Sequence, residues 1–84
     1  MEYELYVIYD ATTNKYGIPM AQDNDATAMR AFAHEAMKPE SLWNSHPQDF
    51  TLYNVGTFYI LTGEIISHKP ERVCSAADFV RKEN

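Results

Sequence analysis

The sequence predicts an α+β domain, in which a small antiparallel sheet of about four strands carries one main helix on one face. Apolar and aromatic runs with strand-like alternation lie in both halves of the chain, and one alanine-rich helical stretch separates them. Short reversals join the runs in the order β-β-α-β-β, and a short C-terminal helix capped by Ser75 follows over residues 75–81. We expect a single domain over residues 1–84, with residues 79–84 partly frayed.

The first predicted strand covers residues 3–9, and both of its faces carry apolar or aromatic side chains, which favours a central position in the sheet. A polar reversal over residues 10–15 follows, rich in the Asp and Asn that suit turns. Residues 16–20 then run back as a short strand. Because Pro19 has no N–H for a ladder, this strand is predicted to lie at the sheet edge or to end there.

The main helix is predicted over residues 25–37, where strong helix formers are dense. Asn24 suits the N-cap, and Asp25 places a carboxylate in the first turn, where the helix dipole favours an anion. The apolar stripe that should face the sheet recurs at helical spacing: Met29, Phe32, Ala33, Ala36 and Met37. The helix should end near Lys38, because Pro39 disfavours helical dihedrals in the residue before it.

The connector after the helix should bury two side chains, Leu42 and Trp43. Pro47 suits the first position of a helical turn, since its missing N–H costs nothing there. Ser45 or His46 is expected to cap that turn.

The longest apolar and aromatic run covers residues 50–60 and predicts the main strand of the second half. Its alternation breaks near Gly56, so we expect a bulge or bend there, with a positive dihedral that glycine adopts without cost. A hairpin closes at residues 61–63, and a return strand over residues 64–68 should end before Pro70.

The net charge of −5 is unevenly distributed along the chain. Residues 1–68 hold three basic and nine acidic side chains, whereas residues 69–84 hold four basic and three acidic ones. Because nonspecific nucleic-acid binding depends on neutralising phosphates, the acidic balance argues against tight coating of DNA. A local basic strip remains near the C-terminus.

Few residues favour catalysis or metal binding. His34, His46, His68 and Cys74 are not paired at the spacing of about two to four residues that structural zinc sites usually show. The carboxylates are spread singly, and three glycines cannot build a phosphate-binding loop. We therefore predict no enzymatic activity, no cofactor and no metal site.

The cellular location is predicted from absent signals. One cysteine permits no internal disulfide and fits a reducing cytoplasm. The N-terminus has neither the basic nor the apolar region of a signal peptide, and no run approaches the roughly 18 apolar residues of a membrane span. We expect a soluble intracellular protein without membrane contact.

The tyrosines and basic residues give the candidate binding site. Exposed aromatic side chains on a sheet, with cations alongside, hold single-stranded nucleic acid in many proteins. The candidates are Tyr6, Tyr53 and Tyr59 as a stacking platform, with Lys15, Lys69 and Arg72 near it. The competing interpretation, which the acidic balance favours, is that the tyrosines fill the core or a dimer seam.

Several pieces of the sequence, taken in order, resemble a known phage family. They are Tyr-Val-Ile-Tyr-Asp at 6–10, Tyr16 to Pro19, the helix start at 25–32, His-Pro-Gln-Asp-Phe-Thr-Leu-Tyr at 46–53, Val-Gly-Thr-Phe at 55–58 and Thr-Gly at 62–63. Together they resemble the small nonstructural protein of gokushovirus-type microviruses, phages with circular single-stranded DNA genomes. Two positions depart from the family pattern. Residues 59–61 are apolar where the family tends to be acidic, which suggests a hairpin for self-association, and Gln48 replaces a common Glu.

The resemblance implies a nonstructural protein made in the cytoplasm of the infected bacterium, with a role in viral DNA replication and single-stranded genome synthesis. We therefore expect a non-enzymatic accessory factor that binds single-stranded DNA or the phage replication initiator protein, as a homo-oligomer, a dimer in the simplest case. The alternative is a homodimeric protein–protein adaptor that makes no contact with nucleic acid.

Overall fold

The computed structural model describes residues 1–80, which form an antiparallel sheet with one main helix and shorter helical turns. The elements are β1 (Glu2–Asp10), β2 (Lys15–Tyr16), β3 (Met20–Gln22), α1 (Asp25–Ala36), α2 (Leu42–Ser45), a 3₁₀ turn (Pro47–Asp49), β4 (Phe50–Tyr59), β5 (Ile65–Ser75) and a second 3₁₀ turn (Ala76–Asp78). The predicted mixed class is confirmed, although strands take a larger share of the chain than expected.

The sheet has the order β2-β1-β4-β5, and β3 pairs with β1 on the same side as β2. The central position predicted for the first strand is therefore confirmed. The short return strand lies at the edge, as predicted, but it is divided into two pieces. The Gly17 N–H still donates to the Ile8 carbonyl at 2.8 Å, and pairing with β1 resumes only at Met20, after Pro19.

The bulge predicted in the main strand is present, one residue from its predicted place. Leu5 pairs with Gly56 and Tyr6 pairs with Asn54, so Val55 is the extra residue. The predicted positive dihedral at Gly56 is wrong, since the glycine with positive φ is Gly63, at 75°.

Glycine is required at position 56 because another strand passes very close to it. A Cβ built on Gly56 would overlap the Ile66 carbonyl oxygen and lie 3.0 Å from the Ser67 Cα. The constraint is steric crowding by β5 rather than backbone conformation.

The prediction that Pro70 ends the last strand is wrong, because β5 continues to Ser75. Gly56 pairs with Ser67 and Asn54 pairs with Glu71, so the three residues 68–70 bulge opposite Val55. A proline is tolerated here because β5 is the outer strand, where a missing N–H need not break a ladder.

The pairing register separates two faces of the sheet, since residues directly opposite each other point the same way. The helix face carries a cluster of buried side chains from strands and helices: Tyr6, Ala28, Phe32, Ala36, Leu52, Cys74 and Ala76. The open face carries Val7, Tyr9, Tyr53 and Arg72. Val7 is buried yet lies outside the cluster, in keeping with its place on the other face.

Helix α1 begins as predicted, with the Asn24 side chain accepting from the Thr27 N–H at 2.9 Å. Its buried positions are Ala28, Phe32, Ala33 and Ala36. The expected burial of Met37 is wrong, because that residue is the C-cap and projects beyond the last turn.

The connector forms the short helix α2, and only one of the two side chains predicted to be buried packs against the core. Trp43 packs against the core, with its ring 4.9 Å from Phe32 and 5.9 Å from Phe50. Leu42 is exposed, so its expected burial is wrong. Pro47 begins the 3₁₀ turn as predicted, but no side chain caps that turn.

The C-terminal helix is a single 3₁₀ turn. Ser75 caps it as predicted, and the Asp78 carboxylate accepts from the Ser75 N–H at 2.8 Å in return. Phe79 and Val80 pack against the core cluster. The rest of the predicted helix, at Arg81, and the rest of the predicted frayed end lie outside the described residues.

Candidate nucleic-acid interface

Three tyrosines meet on the open face, and we call Tyr9, Tyr16 and Tyr53 the tyrosine cluster. The Tyr9 ring lies 4.8 Å from Tyr16 and 6.4 Å from Tyr53, and the Tyr16 and Tyr53 rings are 5.8 Å apart. Strand pairing brings them together, because Tyr9 is opposite Tyr16 and Val7 is opposite Tyr53. The rings meet at steep angles, as aromatic pairs prefer.

The turn after β1 supports the cluster from one side. Asn14 sits in the left-handed region at φ 57°, and its side-chain oxygen accepts from the Tyr9 hydroxyl at 2.8 Å. Tyr16 is 50 % exposed, whereas Tyr9 and Tyr53 are half-buried. Tyr16 is therefore the ring that offers the largest free surface for stacking.

Arg72 is the cation that the structure places beside this cluster. It pairs with Tyr53 across β4 and β5, so both side chains point to the open face. Its Nη2 donates to Ser75 Oγ at 3.1 Å and to Asp78 Oδ2 at 3.3 Å. The guanidinium is thus oriented, and about half of the Arg72 side chain remains exposed for an incoming phosphate.

The other two predicted cations lie elsewhere. Lys15 pairs with Asp10, which places its side chain on the opposite side of β2 from Tyr16. Lys69 lies in the bulged part of β5, between the pairs made by Ser67 and Glu71. Both are exposed, but the structure does not gather them with the tyrosines.

The prediction that Tyr6 belongs to an exposed platform is wrong, because Tyr6 is 0 % exposed. Its hydroxyl donates to Asp25 Oδ1 at 2.5 Å, which ties the first turn of α1 to the central strand. Burial, with a further contribution from Asp25, raises the pKa of this phenol well above its usual value. Tyr6 is a core residue that fixes the position of the helix.

Tyr59 also lies away from the cluster. It pairs with Glu2 at the far end of β4, on the same side of the sheet as Glu4 and Asn54. Of the six predicted site residues, the structure brings together only Tyr53 and Arg72. Tyr9 and Tyr16 were missed, and the signal that could have found Tyr9 is its alternation with Tyr6, which puts it on the opposite face.

The described residues show little that could perform acid–base or metal chemistry. Glu4 accepts from Asn54 at 3.1 Å and from Thr57 at 3.0 Å, so this half-buried carboxylate is fully engaged. Cys74 is buried, and that burial raises the pKa of its thiol to about 11. Within residues 1–80, no group of three or more His, Cys, Asp or Glu side chains could hold a metal ion.

The family model for the phage ORF5 protein matches residues 3–79. The chain belongs to the phage ORF5 family. No curated protein and no solved structure matches it. The match extends from β1 to just beyond the second 3₁₀ turn, so it includes the tyrosine cluster. The expected phage origin is confirmed, while the assignment to microviruses and to DNA synthesis stays a prediction.

A second surface of this ORF5-family chain is strongly apolar. We call it the apolar arm: residues 1–5 together with the hairpin of residues 57–67, beyond the core cluster. Its large exposed side chains have exposed fractions between 38 and 84 %: Met1, Tyr3, Ile60, Leu61, Ile65 and Ile66. They lie toward one end of an elongated molecule that measures 50 Å along its longest axis.

None of the helices within residues 1–80 of this ORF5-family protein has the length and apolar character required to span a membrane.

Proposed function

We propose that this phage ORF5-family protein is a non-enzymatic accessory factor of phage DNA synthesis, and that it binds single-stranded DNA through the tyrosine cluster. The observation that carries the proposal is the meeting of three tyrosine rings on the open face, with Arg72 in register beside Tyr53. The resemblance to microvirus nonstructural proteins supports a role in producing single-stranded genomes in the cytoplasm of the infected bacterium.

Stacking supplies most of the affinity in this proposal. A base stacked on an aromatic side chain contributes about 1–3 kcal/mol, and every base offers a suitable face, so binding tolerates any sequence. Tyr16 makes the main contact because half of it is free. Tyr9 and Tyr53 hold its ring in place and present their edges.

Phosphate contacts contribute less, because the chain carries a net charge of −5. Among residues 1–80, Arg72 is the single cation beside the cluster, so about one phosphate is neutralised. The logarithm of the binding constant should then fall with the logarithm of salt concentration at a slope near −0.7. A shallow slope separates this stacking mode from a basic groove.

Fluorescence anisotropy of a labelled oligo-dT tests the proposal, at about 50 mM salt, where electrostatic contacts are still strong. Tyr16→Ala should weaken binding roughly tenfold or more, since it removes one stacked base. Tyr16→Phe should retain the affinity. Lys15→Ala is the matched control for Arg72→Ala, because Lys15 points to the other side of the sheet.

The proposal fails if micromolar protein does not bind the oligonucleotide. It also fails if Tyr16→Ala binds as tightly as the unmodified chain. A related form of the proposal is that the same face binds the phage replication initiator protein instead of DNA. Copurification from infected cells tests whether the initiator binds.

A second candidate function is a homodimeric protein–protein adaptor that does not contact nucleic acid. The exposed apolar side chains of the arm favour it, since monomeric proteins rarely expose large contiguous apolar patches. The acidic balance favours it as well. Light scattering at high concentration discriminates, because a strict monomer would contradict the adaptor.

A further inference from the structure

The outer edge of β5 is the starting point. β5 ends the sheet order β2-β1-β4-β5, so within residues 1–80 its outer backbone groups have no neighbouring strand. Such an edge is a template for another strand unless charged residues, proline or bulges protect it. Lys69 and Pro70 protect the middle of β5, whereas Ile65 and Ile66 carry no such protection and are 60 % and 52 % exposed.

We propose that two copies of this chain pair antiparallel through the segment 64–68, about a two-fold axis at Ile66. In such a pair, residues at equal distances on either side of the axis face each other. Ile66 then faces Ile66 of the second copy, Ile65 faces Ser67, and the Glu64 carboxylate faces the His68 imidazole. The segment is complementary to itself.

The register with its axis one residue further along, at Ser67, fits less well. Residues that face each other across a symmetric pair must point to the same side of the sheet. The axis must therefore pass at a residue and not between two residues, so the alternative registers differ by whole residues. An axis at Ser67 would place Ile66 against His68 and Ile65 against Lys69. The axis at Ile66 avoids these contacts between apolar and basic side chains.

The apolar side chains at the edge itself favour such a pair. Ile65 and Ile66 are 60 % and 52 % exposed, and they point to opposite faces of the sheet because they are neighbours in β5. A single copy leaves both side chains in water. Edge pairing places them beside the same segment of the second copy, so that apolar surface is covered on both faces.

The symmetry has a consequence for DNA, and this step alone rests on the proposed function. A two-fold axis perpendicular to a sheet leaves each face on its own side, so the two open faces join into one surface. Both tyrosine clusters then lie on that surface, with the two β5 strands and their Arg72 side chains between them. One strand of DNA can engage both clusters, which raises the affinity by avidity.

Sedimentation velocity on the full chain tests the pairing. The unmodified protein should sediment as a dimer, and Ile66→Asp should halve the mass. Ile18→Asp is the matched control, because Ile18 is 87 % exposed and lies outside the arm. The Ile18→Asp protein should remain a dimer. A monomeric unmodified chain overturns the proposal, as does an Ile66→Asp chain that is folded by circular dichroism and remains dimeric.

A disulfide tests the register even if Ile66→Asp does not fold. Facing residues in an antiparallel pair have Cα atoms about 4.5–5.5 Å apart, within the range a disulfide spans. Oxidised glutathione, which accepts the two electrons, should therefore link two Ile66→Cys chains into a covalent dimer. Ile18→Cys should not link, and buried Cys74 does not compete. Linkage of Ile18→Cys without Ile66→Cys would contradict the proposed axis.

Anisotropy with the same variants separates the two proposals. Loss of the dimer in Ile66→Asp should weaken oligo-dT binding roughly 100-fold through lost avidity, while Tyr16→Ala should weaken binding without changing the mass. A dimer that binds no DNA overturns the proposed function and leaves the pairing intact. A monomer that binds DNA overturns the pairing and leaves the proposed function intact.

Discussion

The two ends of the sheet are built from the same strands, yet they have different surroundings. In the body, helix α1 covers β1 and β4, and the core residues Tyr6, Phe32 and Leu52 are almost completely buried. In the apolar arm, beyond Gly56, the same strands continue with further apolar side chains, of which Tyr3, Ile65 and Ile66 stay exposed. Apolar alternation therefore specifies a strand, while the covering element decides whether that strand becomes core or contact surface.

The largest expected effect is a loss of stability in the body, the part of the sheet that α1 covers. Phe32→Ala removes a buried ring that packs 4.9 Å from Trp43, so the free energy of unfolding should fall by about 4 kcal/mol. Leu61→Ala removes a side chain of the arm that is already exposed, so the free energy of unfolding should change by less than about 0.5 kcal/mol. Urea unfolding followed by circular dichroism measures both. Similar losses would remove the distinction between body and arm.

An intermediate effect is expected at the junction of the two regions. Gly56→Val forces a branched side chain against the Ile66 carbonyl and the Ser67 Cα, and should cost about 3 kcal/mol. Gly17→Ala is the control, because a Cβ there meets its nearest neighbour, the Ile8 carbonyl oxygen, at 3.5 Å. In thermal and urea unfolding, the free energy of unfolding of Gly17→Ala should lie within about 0.5 kcal/mol of that of the unmodified chain. A Gly56→Val chain as stable as the original would contradict the close approach of β5.

The smallest effect is a dependence of stability on alkaline pH that arises in the body. Burial raises the pKa of Cys74 from 9.0 to about 11, and burial with Asp25 also raises that of Tyr6. Raised values mean that the folded state holds these protons more tightly. The stabilisation is therefore complete below the unfolded value of 9.0 and is lost as pH rises toward about 11.

Unfolding measured at several pH values checks this. The free energy should be level up to about pH 8.5 and about 1 kcal/mol lower at pH 10. Cys74→Ala should remove most of that decline. An identical decline in Cys74→Ala would show that the thiol is not its source.

Local signals in the sequence predicted much of the body. Asn24 before an alanine-rich run, Pro47 at the start of a turn, and the apolar first strand each depend on neighbours within a few residues. Tyr6 could not be assigned the same way. Alternation separates Tyr6 from Tyr9, but which face the helix covers depends on contacts with Asp25 and Phe32, which are distant in sequence.

The remaining differences also come from nonlocal structure. Pro70 stays within a strand because β5 lies at the edge, and strand order is invisible in a local pattern. Tyr53 and Tyr59 are six residues apart, so simple alternation puts them on one face. The extra residue Val55 shifts the facing between them, and the predicted platform is thereby divided.

Val55 separates the length of β4 from the orientation of the arm. It is the extra residue between Asn54 and Gly56, which already pair with consecutive residues of β1. Deleting Val55 would therefore close the bulge and leave Phe58 and Tyr59 on their present sides of the sheet. A single codon lost at this position is thus a change in length that related chains could accept while keeping the contact surface of the arm.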